Sequence, residues 1–223
     1  MTTKTRLLLI NPNTTSEMTR IISSAAHGTP GASALDIVAV NPEIGPSAIE
    51  TAADEQVAIG TMLASARSWS ADIGFDIAVV SCFGDPGVDE LRSATGLPVH
   101  GIALQAMRAA QNAGGRFSIV CAMPSAVTLM TELAARYGFG DALASVRPLG
   151  ISVLDIARDP AAALEEAIAV IRSCVEVDGA GAVCLGCASM APLAPAIEAE
   201  SPVPVIEGVR AAVTAVLEDS LDR

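Results

Sequence analysis

Cysteines are the residues of this 223-residue chain with the most chemistry in them: Cys82, Cys121, Cys174, Cys184 and Cys187. Two of them occupy matching places. Cys82 closes the apolar run 77–81, Cys187 closes the run 182–186, and each is followed by a loop and a helix start. Ligands in open α/β sheets bind beyond the carboxyl ends of the strands. Two thiols facing one cleft from opposite sides suit a particular task. A thiolate removes a proton from a carbon beside a carbonyl, and the opposing thiol delivers one to the other face. The stereocentre inverts without a cofactor. A free thiol starts near pKa ~8.5, and a helix N-terminus lowers that value by stabilising the anion, so both cysteines are expected to be activated. The backbone amides of Phe83 to Asp85 and of Ala188 to Met190 are candidate receivers of enolate charge. Asn11 and Asn13 read either as neutral donors to substrate carbonyls or as turn formers.

Other chemistries are poorly served. The 13 basic residues include one lysine, Lys4, near the N-terminus, so a Schiff-base enzyme and a Gly-Lys-Ser/Thr phosphate loop are both disfavoured. The two histidines, His27 and His100, form no metal-ligand pattern, and no Gly-x-Ser-x-Gly elbow appears. A net charge of −12 and 3% aromatics argue against a nucleic-acid partner. Residues 179–197 carry no charge, but three glycines and two prolines argue against a membrane span. The apolar stretch 7–10 is cut at once by Asn11-Pro12-Asn13, which is unlike a signal peptide, so a cytoplasmic protein with reduced thiols is expected. Cys174 and Cys184 read as small core residues, and Cys121 as either core or pocket. Cys184-x-x-Cys187 lies on an extended run that splays the two sulfurs, against a redox pair. Asp85 reads as a helix cap or a catalytic group, Glu207 as a cap, and His100 as a structural histidine.

Alternating strands and helices position these residues. Strands are expected over 6–10, 35–40, 77–81, 116–120, 182–186 and 203–206. Thr14-Thr15-Ser16-Glu17 has the form of a capping box, followed by the helical stripe Met18, Ile21, Ile22, Ala25 and a stop at Gly28. Further helices are expected over 50–67, after Asp85-Pro86, after Ser125, after Asp159-Pro160, and at the end of the chain. Their core stripes run through Ile59, Met62 and Leu63; Met130, Leu133, Ala134 and Tyr137; Leu164, Ile168, Ile171 and Val175; and Val209, Ala212, Val213 and Val216. The pattern repeats. Leu97-Pro98-Val99 resembles Val203-Pro204-Val205, with 16 positions from Cys82 to Pro98 and 17 from Cys187 to Pro204. Arg6 to Cys82 spans 76 positions and Arg116 to Cys187 spans 71. Two similar α/β halves with parallel sheets follow.

Four segments carry a family resemblance: Ile10-Asn11-Pro12-Asn13-Thr14-Thr15; Asn41-Pro42 with Gly45-Pro46-Ser47 and Ile49-Glu50; Cys82-Phe83-Gly84-Asp85-Pro86-Gly87; and Leu185-Gly186-Cys187-Ala188-Ser189-Met190. Together the chain resembles the aspartate/glutamate racemase superfamily, in its hydantoin and allantoin racemase branch. The resemblance implies an α/β fold of two pseudo-symmetric lobes, each a mainly parallel sheet flanked by helices, with the site in the cleft between them. The lobes would be 1–102 with 208–223, and 103–207. It implies an isomerase that uses Cys82 and Cys187 to invert C5 of a 5-monosubstituted hydantoin, with no cofactor and no metal. Substrate contacts carried over are Asn11, Asn13, Ser47, Ile49, Phe83, Gly84, Asp85, Cys121, Ala122, Gly186, Ala188 and Ser189. A homo-oligomer acting on a small molecule is implied as well. Two departures bear on substrate identity: Cys121-Ala122 stands where the branch has a threonine pair, and Thr51-Ala52-Ala53 where it often has aromatics. The alternatives are decarboxylation or cis–trans isomerisation of a small acid, or a non-catalytic small-ligand binder.

Overall fold

A computed structural model describes residues 4–221; residues 1–3 and 222–223, the outer ends of the expected first lobe, lie outside it. In chain order the first half runs β1 (Thr5–Ile10), α1 (Ser16–His27), β2 (Leu35–Val40), α2 (Ala52–Asp72), β3 (Ile77–Val80), α3 (Val88–Thr95) and β4 (Val99–Gly101). After the connecting α4 (Ile102–Gly114), the second half runs β5 (Phe117–Cys121), α5 (Ala126–Arg136), β6 (Leu143–Pro148), α6 (Val153–Arg158), α7 (Pro160–Glu176), β7 (Ala182–Leu185), α8 (Ala194–Glu200) and β8 (Val205–Glu207). The last helix is α9 (Gly208–Leu221). The strands form two parallel sheets of identical topology, β2-β1-β3-β4 and β6-β5-β7-β8. The duplication read from the spacings is therefore present strand for strand.

Both faces of the first sheet are covered, as parallel sheets require. Leu7 and Leu9 belong to the large core that reaches α4, α9 and the second sheet, whereas Leu8 and Ile10 face Met62 and Ala66 of α2. This is the period-two alternation of a strand. All four leucine and isoleucine side chains are fully buried, and truncating one to alanine costs about 2–5 kcal/mol. Helix α4 packs on β4, β5, β7 and β8, so it joins the two sheets, and α9 lies against α4, α1 and β3.

Several local expectations are corrected. Thr15 is the N-cap of α1 but makes no side-chain cap; its hydroxyl donates to the Ser47 carbonyl at 2.7 Å, tying the loop after β2 to the site. The capping box forms instead at Thr51 and Asp54, and α2 starts at Ala52 and runs on to Asp72. Asp85-Pro86 does not open a helix: α3 begins at Val88, after Gly87 in the left-handed region. Val203 and Pro204 lie before β8, whose last residue is Glu207. Strand β6 and helices α4, α6 and α8 lie where no element was expected.

Candidate active site

The carboxyl ends of β1, β3, β5 and β7 meet around one cleft of about 730 Å³, its open mouth included. Cys82 and Cys187 both line it, two positions beyond β3 and β7. Both thiols are partly exposed, while Cys121, Cys174 and Cys184 are buried. The walls are mostly apolar: Met18, Ile49 and Phe83 on one side, and Ala122, Met123, Ala126, Leu129, Met130 and Val153 on the other. Polar groups are few (Asn13, Glu50, Thr51, Glu55 and Ser81 besides the thiols), and among the described residues no Lys, Arg or His lines the cleft.

Confinement governs the thiols. Burial pushes Cys82 up to about 12; the Gly84 N–H restrains it, and the charges of Cys187, Asp85 and Glu55 push the same way as burial. Cys187 is also raised by burial, with the Ser189 hydroxyl and N–H opposing and Glu50 adding to the rise. The Cys187 Sγ lies 3.0 Å from Ser189 Oγ. The expected lowering by helix N-termini is thus corrected. The amides are in place, but desolvation of a thiolate in a narrow apolar cleft outweighs them. Only Cys187 abuts a helix start at all, as the N-cap of the 3-10 turn Ala188–Leu193. Cys82 is followed by a non-helical turn up to Gly87.

Asn13 is held in one orientation. Its Oδ1 accepts from the Asn11 Nδ2 and from the Thr15 N–H, both at 2.9 Å, which leaves its own amide hydrogens for the cleft. Asn11 does not line the cleft; it is 1% exposed and also donates to Thr15 O and Thr19 Oγ1. Ile49, Phe83, Gly84, Ala122, Gly186 and Ala188 line the cleft with Asn13 and the two cysteines. Ser47, which is exposed, and the buried Asp85, Cys121 and Ser189 do not line it. Ser47 receives the Thr15 hydroxyl, Cys121 points its Sγ at Met123 O (3.4 Å), and Ser189 holds Cys187.

Asp85 has a structural task in this arrangement. Its carboxylate accepts from the Ala103 and Leu104 N–H groups, both at 2.9 Å, and so caps α4 from 18 residues upstream. The Tyr137 hydroxyl donates to it at 2.9 Å from the other lobe. Burial raises Asp85 to about 6, and these donors act against that rise. Its backbone sits at φ 50, uncommon outside glycine. Gly101 makes room for it: a Cβ there would fall 2.1 Å from the Asp85 Cγ. Glu207 caps α9 through the Val209 and Arg210 N–H groups. His100 accepts from Gln105 on Nδ1 and donates from Nε2 to Asp219, tying β4 to α9 away from the cleft.

Sequence reading missed Ser81, Glu50, Thr51, Glu55, Leu129 and Met130 as lining residues. Met130 was visible as a helical stripe position and read as core; it is 6% exposed and serves both core and wall. Glu50 spans the cleft: its Oε1 accepts from the Val153 N–H (2.8 Å) and its carbonyl from the Ser125 hydroxyl (2.9 Å). Among the described residues no group of three or more His, Cys, Asp or Glu is placed to hold a metal ion, and no helix is long and apolar enough to cross a membrane.

Comparison with known proteins agrees with this architecture. A chain from Pseudomonas sp. (strain NS671), named hydantoin racemase, is 38% identical over 208 residues, covering 93% of this chain and 83% of the relative. Hydantoin racemase of Paenarthrobacter aurescens is 34% identical over 93% of this chain and 87% of its own. The solved structure of allantoin racemase from Klebsiella pneumoniae superposes with a TM-score of 0.91 at 35% identity, covering 98% of this chain and 88% of that one. The family model described as Asp/Glu/Hydantoin racemase matches residues 7–216, and the chain belongs to that family.

Proposed function

We propose that this chain is a cofactor-independent racemase of 5-monosubstituted hydantoins, allantoin included, in which Cys82 and Cys187 exchange protons with opposite faces of C5. The observation that carries the reading is the placement of these two thiols, from equivalent strand ends of duplicated sheets, on one narrow cleft. The proton balance closes without a third party. One sulfur, as thiolate, takes the C5 proton and becomes a thiol. The other, as thiol, protonates the opposite face and becomes the thiolate. The reverse enantiomer runs the same steps backwards. In this reading the Asn13 amide, held by the hydrogen bonds to its Oδ1, donates to the C4 carbonyl oxygen as that atom gathers negative charge. High thiol pKa values make each thiolate a strong base toward a weak carbon acid, at the cost of a small ionised fraction at neutral pH. A wall with no cation favours a neutral ring over a dicarboxylate.

The expected test outcome is loss of optical rotation by either enantiomer of a 5-alkylhydantoin, with one solvent deuterium entering C5 per inversion in D2O. Racemisation without deuterium uptake, or none across an alkyl, aryl and ureido panel, would remove the reading. We also infer lobes of 1–102 with 208–223 and of 103–207, supported by the sheet composition and the return of α9 to α1 and β3. A cytoplasmic homo-oligomer completes the reading, resting on the family resemblance; light scattering of the purified chain gives its mass.

A further inference from the structure

Ser81 stands immediately before Cys82, belongs to the cleft wall and is 2% exposed. Its backbone N–H is used, donating to Ile10 O at 2.8 Å. Its hydroxyl is not. Among the described residues, Ser81 Oγ is the single buried side-chain oxygen or nitrogen without a hydrogen-bond partner. Buried polar side-chain atoms are nearly always paired, and leaving one unmet in apolar surroundings is unfavourable. The orphan exists in one lobe only. The position before Cys187 is Gly186, where a Cβ would fall 2.7 Å from Ile119 Cγ2 and 2.8 Å from Val120 O, so no side chain fits.

Position explains what the hydroxyl is for. Asn13 follows β1 and Ser81 follows β3, and these strands are direct neighbours, with Ile10 opposite Val80. Asn13 and Ser81 thus stand at the same end of adjacent strands, with Ser81 adjoining Cys82 in the chain. Helix α5 contributes Ala126, Leu129 and Met130 to the cleft, none of them polar, with Glu55 lining it near Leu129. We propose that the Ser81 hydroxyl binds the amide edge of the substrate ring, a carbonyl or a ring N–H, next to Asn13. The polar edge then turns toward the first sheet and the 5-substituent toward α5, which favours alkyl and aryl substituents over polar ones. This rests on the racemase reading for the identity of the ring, but not for the existence of the contact.

The experiment compares the unaltered chain with Ser81→Ala, using 5,5-dimethylhydantoin as a probe that carries no C5 hydrogen. Calorimetric titration gives its Kd, chiral chromatography of a 5-alkylhydantoin gives kcat and KM, and thermal unfolding of the free proteins gives Tm. Expected for S81A are Kd and KM raised about tenfold, kcat within about threefold, and a Tm no lower than that of the unaltered chain. Unchanged Kd and KM would overturn the inference, and so would a lowered Tm, which would mean that the hydroxyl has a partner in the free fold. If the probe binds in a Ser81-dependent way but no hydantoin is racemised, the racemase reading fails and the Ser81 contact stands. If racemisation proceeds and S81A is unimpaired, only the Ser81 contact fails. If the unaltered chain neither binds nor racemises, both fall.

Discussion

The turns that carry Cys82 and Cys187 stand at equivalent points of sheets with the same strand order, yet they are built from different parts. Three residues beyond Cys82 is the acid Asp85; three beyond Cys187 is the buried, neutral Met190. At the ends of the partner strands the assignment is reversed. Gly101, beside Val80, leaves space for Asp85, and Glu207, beside Leu185, brings its own carboxylate. Each lobe thus caps its following helix with one buried acid, but only the first places that acid near its thiol. The second adds a hydroxyl to its sulfur instead. A duplicated scaffold has kept its geometry and lost its electrostatic symmetry.

The largest expected effect tests whether the two turns share one reaction. Cys82→Ala and Cys187→Ala should each lower racemisation at least ~10³-fold, the upper range for losing a general acid or base. Each should still differ from the other in which enantiomer exchanges its C5 hydrogen with solvent. Equal exchange of both enantiomers by either variant would break the picture of one thiol per face. Next, Gly101→Ala forces a methyl into the Asp85 carboxylate, an overpacking cost of about 3 kcal/mol, or roughly 6–12 °C in Tm for a chain of this size. Alanine at Gly140, where the nearest heavy atoms are 3.8 Å away, is the control and should move Tm little.

Asp85→Asn and Glu207→Gln sharpen the comparison further. Both weaken a helix cap, by about 1 kcal/mol. Only the first removes a negative charge from beside Cys82. Because burial raises both thiols, kcat/KM should climb with pH on the alkaline side, and D85N should shift the part of that climb owed to Cys82 toward lower pH, while E207Q leaves it in place. The stability profile carries a separate signature. Asp85 is raised in the fold, so its contribution is full below the unfolded carboxylate range and declines as pH rises through about 6. D85N should lack that decline in urea titrations. The smallest effect is Ser189→Ala, a loss of one hydrogen bond to Cys187 Sγ. It should reduce kcat/KM about three- to tenfold and shift the Cys187 part of the climb upward, and an unchanged profile would remove the hydroxyl from the account.

Much of this was legible in the chain because buried parallel strands read as short apolar runs and because the spacings from Arg6 to Cys82 and from Arg116 to Cys187 repeat. What was not legible depends on long-range partners. Asp85-Pro86 has the local form of a helix start, but its carboxylate is used 18 residues later at α4. That helix went unread because it follows a three-residue strand and takes its cap from elsewhere. The Thr15 hydroxyl left its own helix for Ser47 O, 32 positions away. Strand β6, partly exposed along its whole length and carrying Ser145 and Arg147, shows no apolar run. Ser81 stands beside the most visible cysteine, but that its hydroxyl lacks a partner is a property of the folded surroundings alone.

Glu50 lends the cleft one more property. Its loop belongs to the first half of the chain, yet its side chain and carbonyl are fastened to Val153 and Ser125, 103 and 75 positions further along. Any widening of the mouth by parting the halves here must first undo those two fastenings. A change at Glu50 would therefore be felt at the mouth and, through its charge, at Cys187 together.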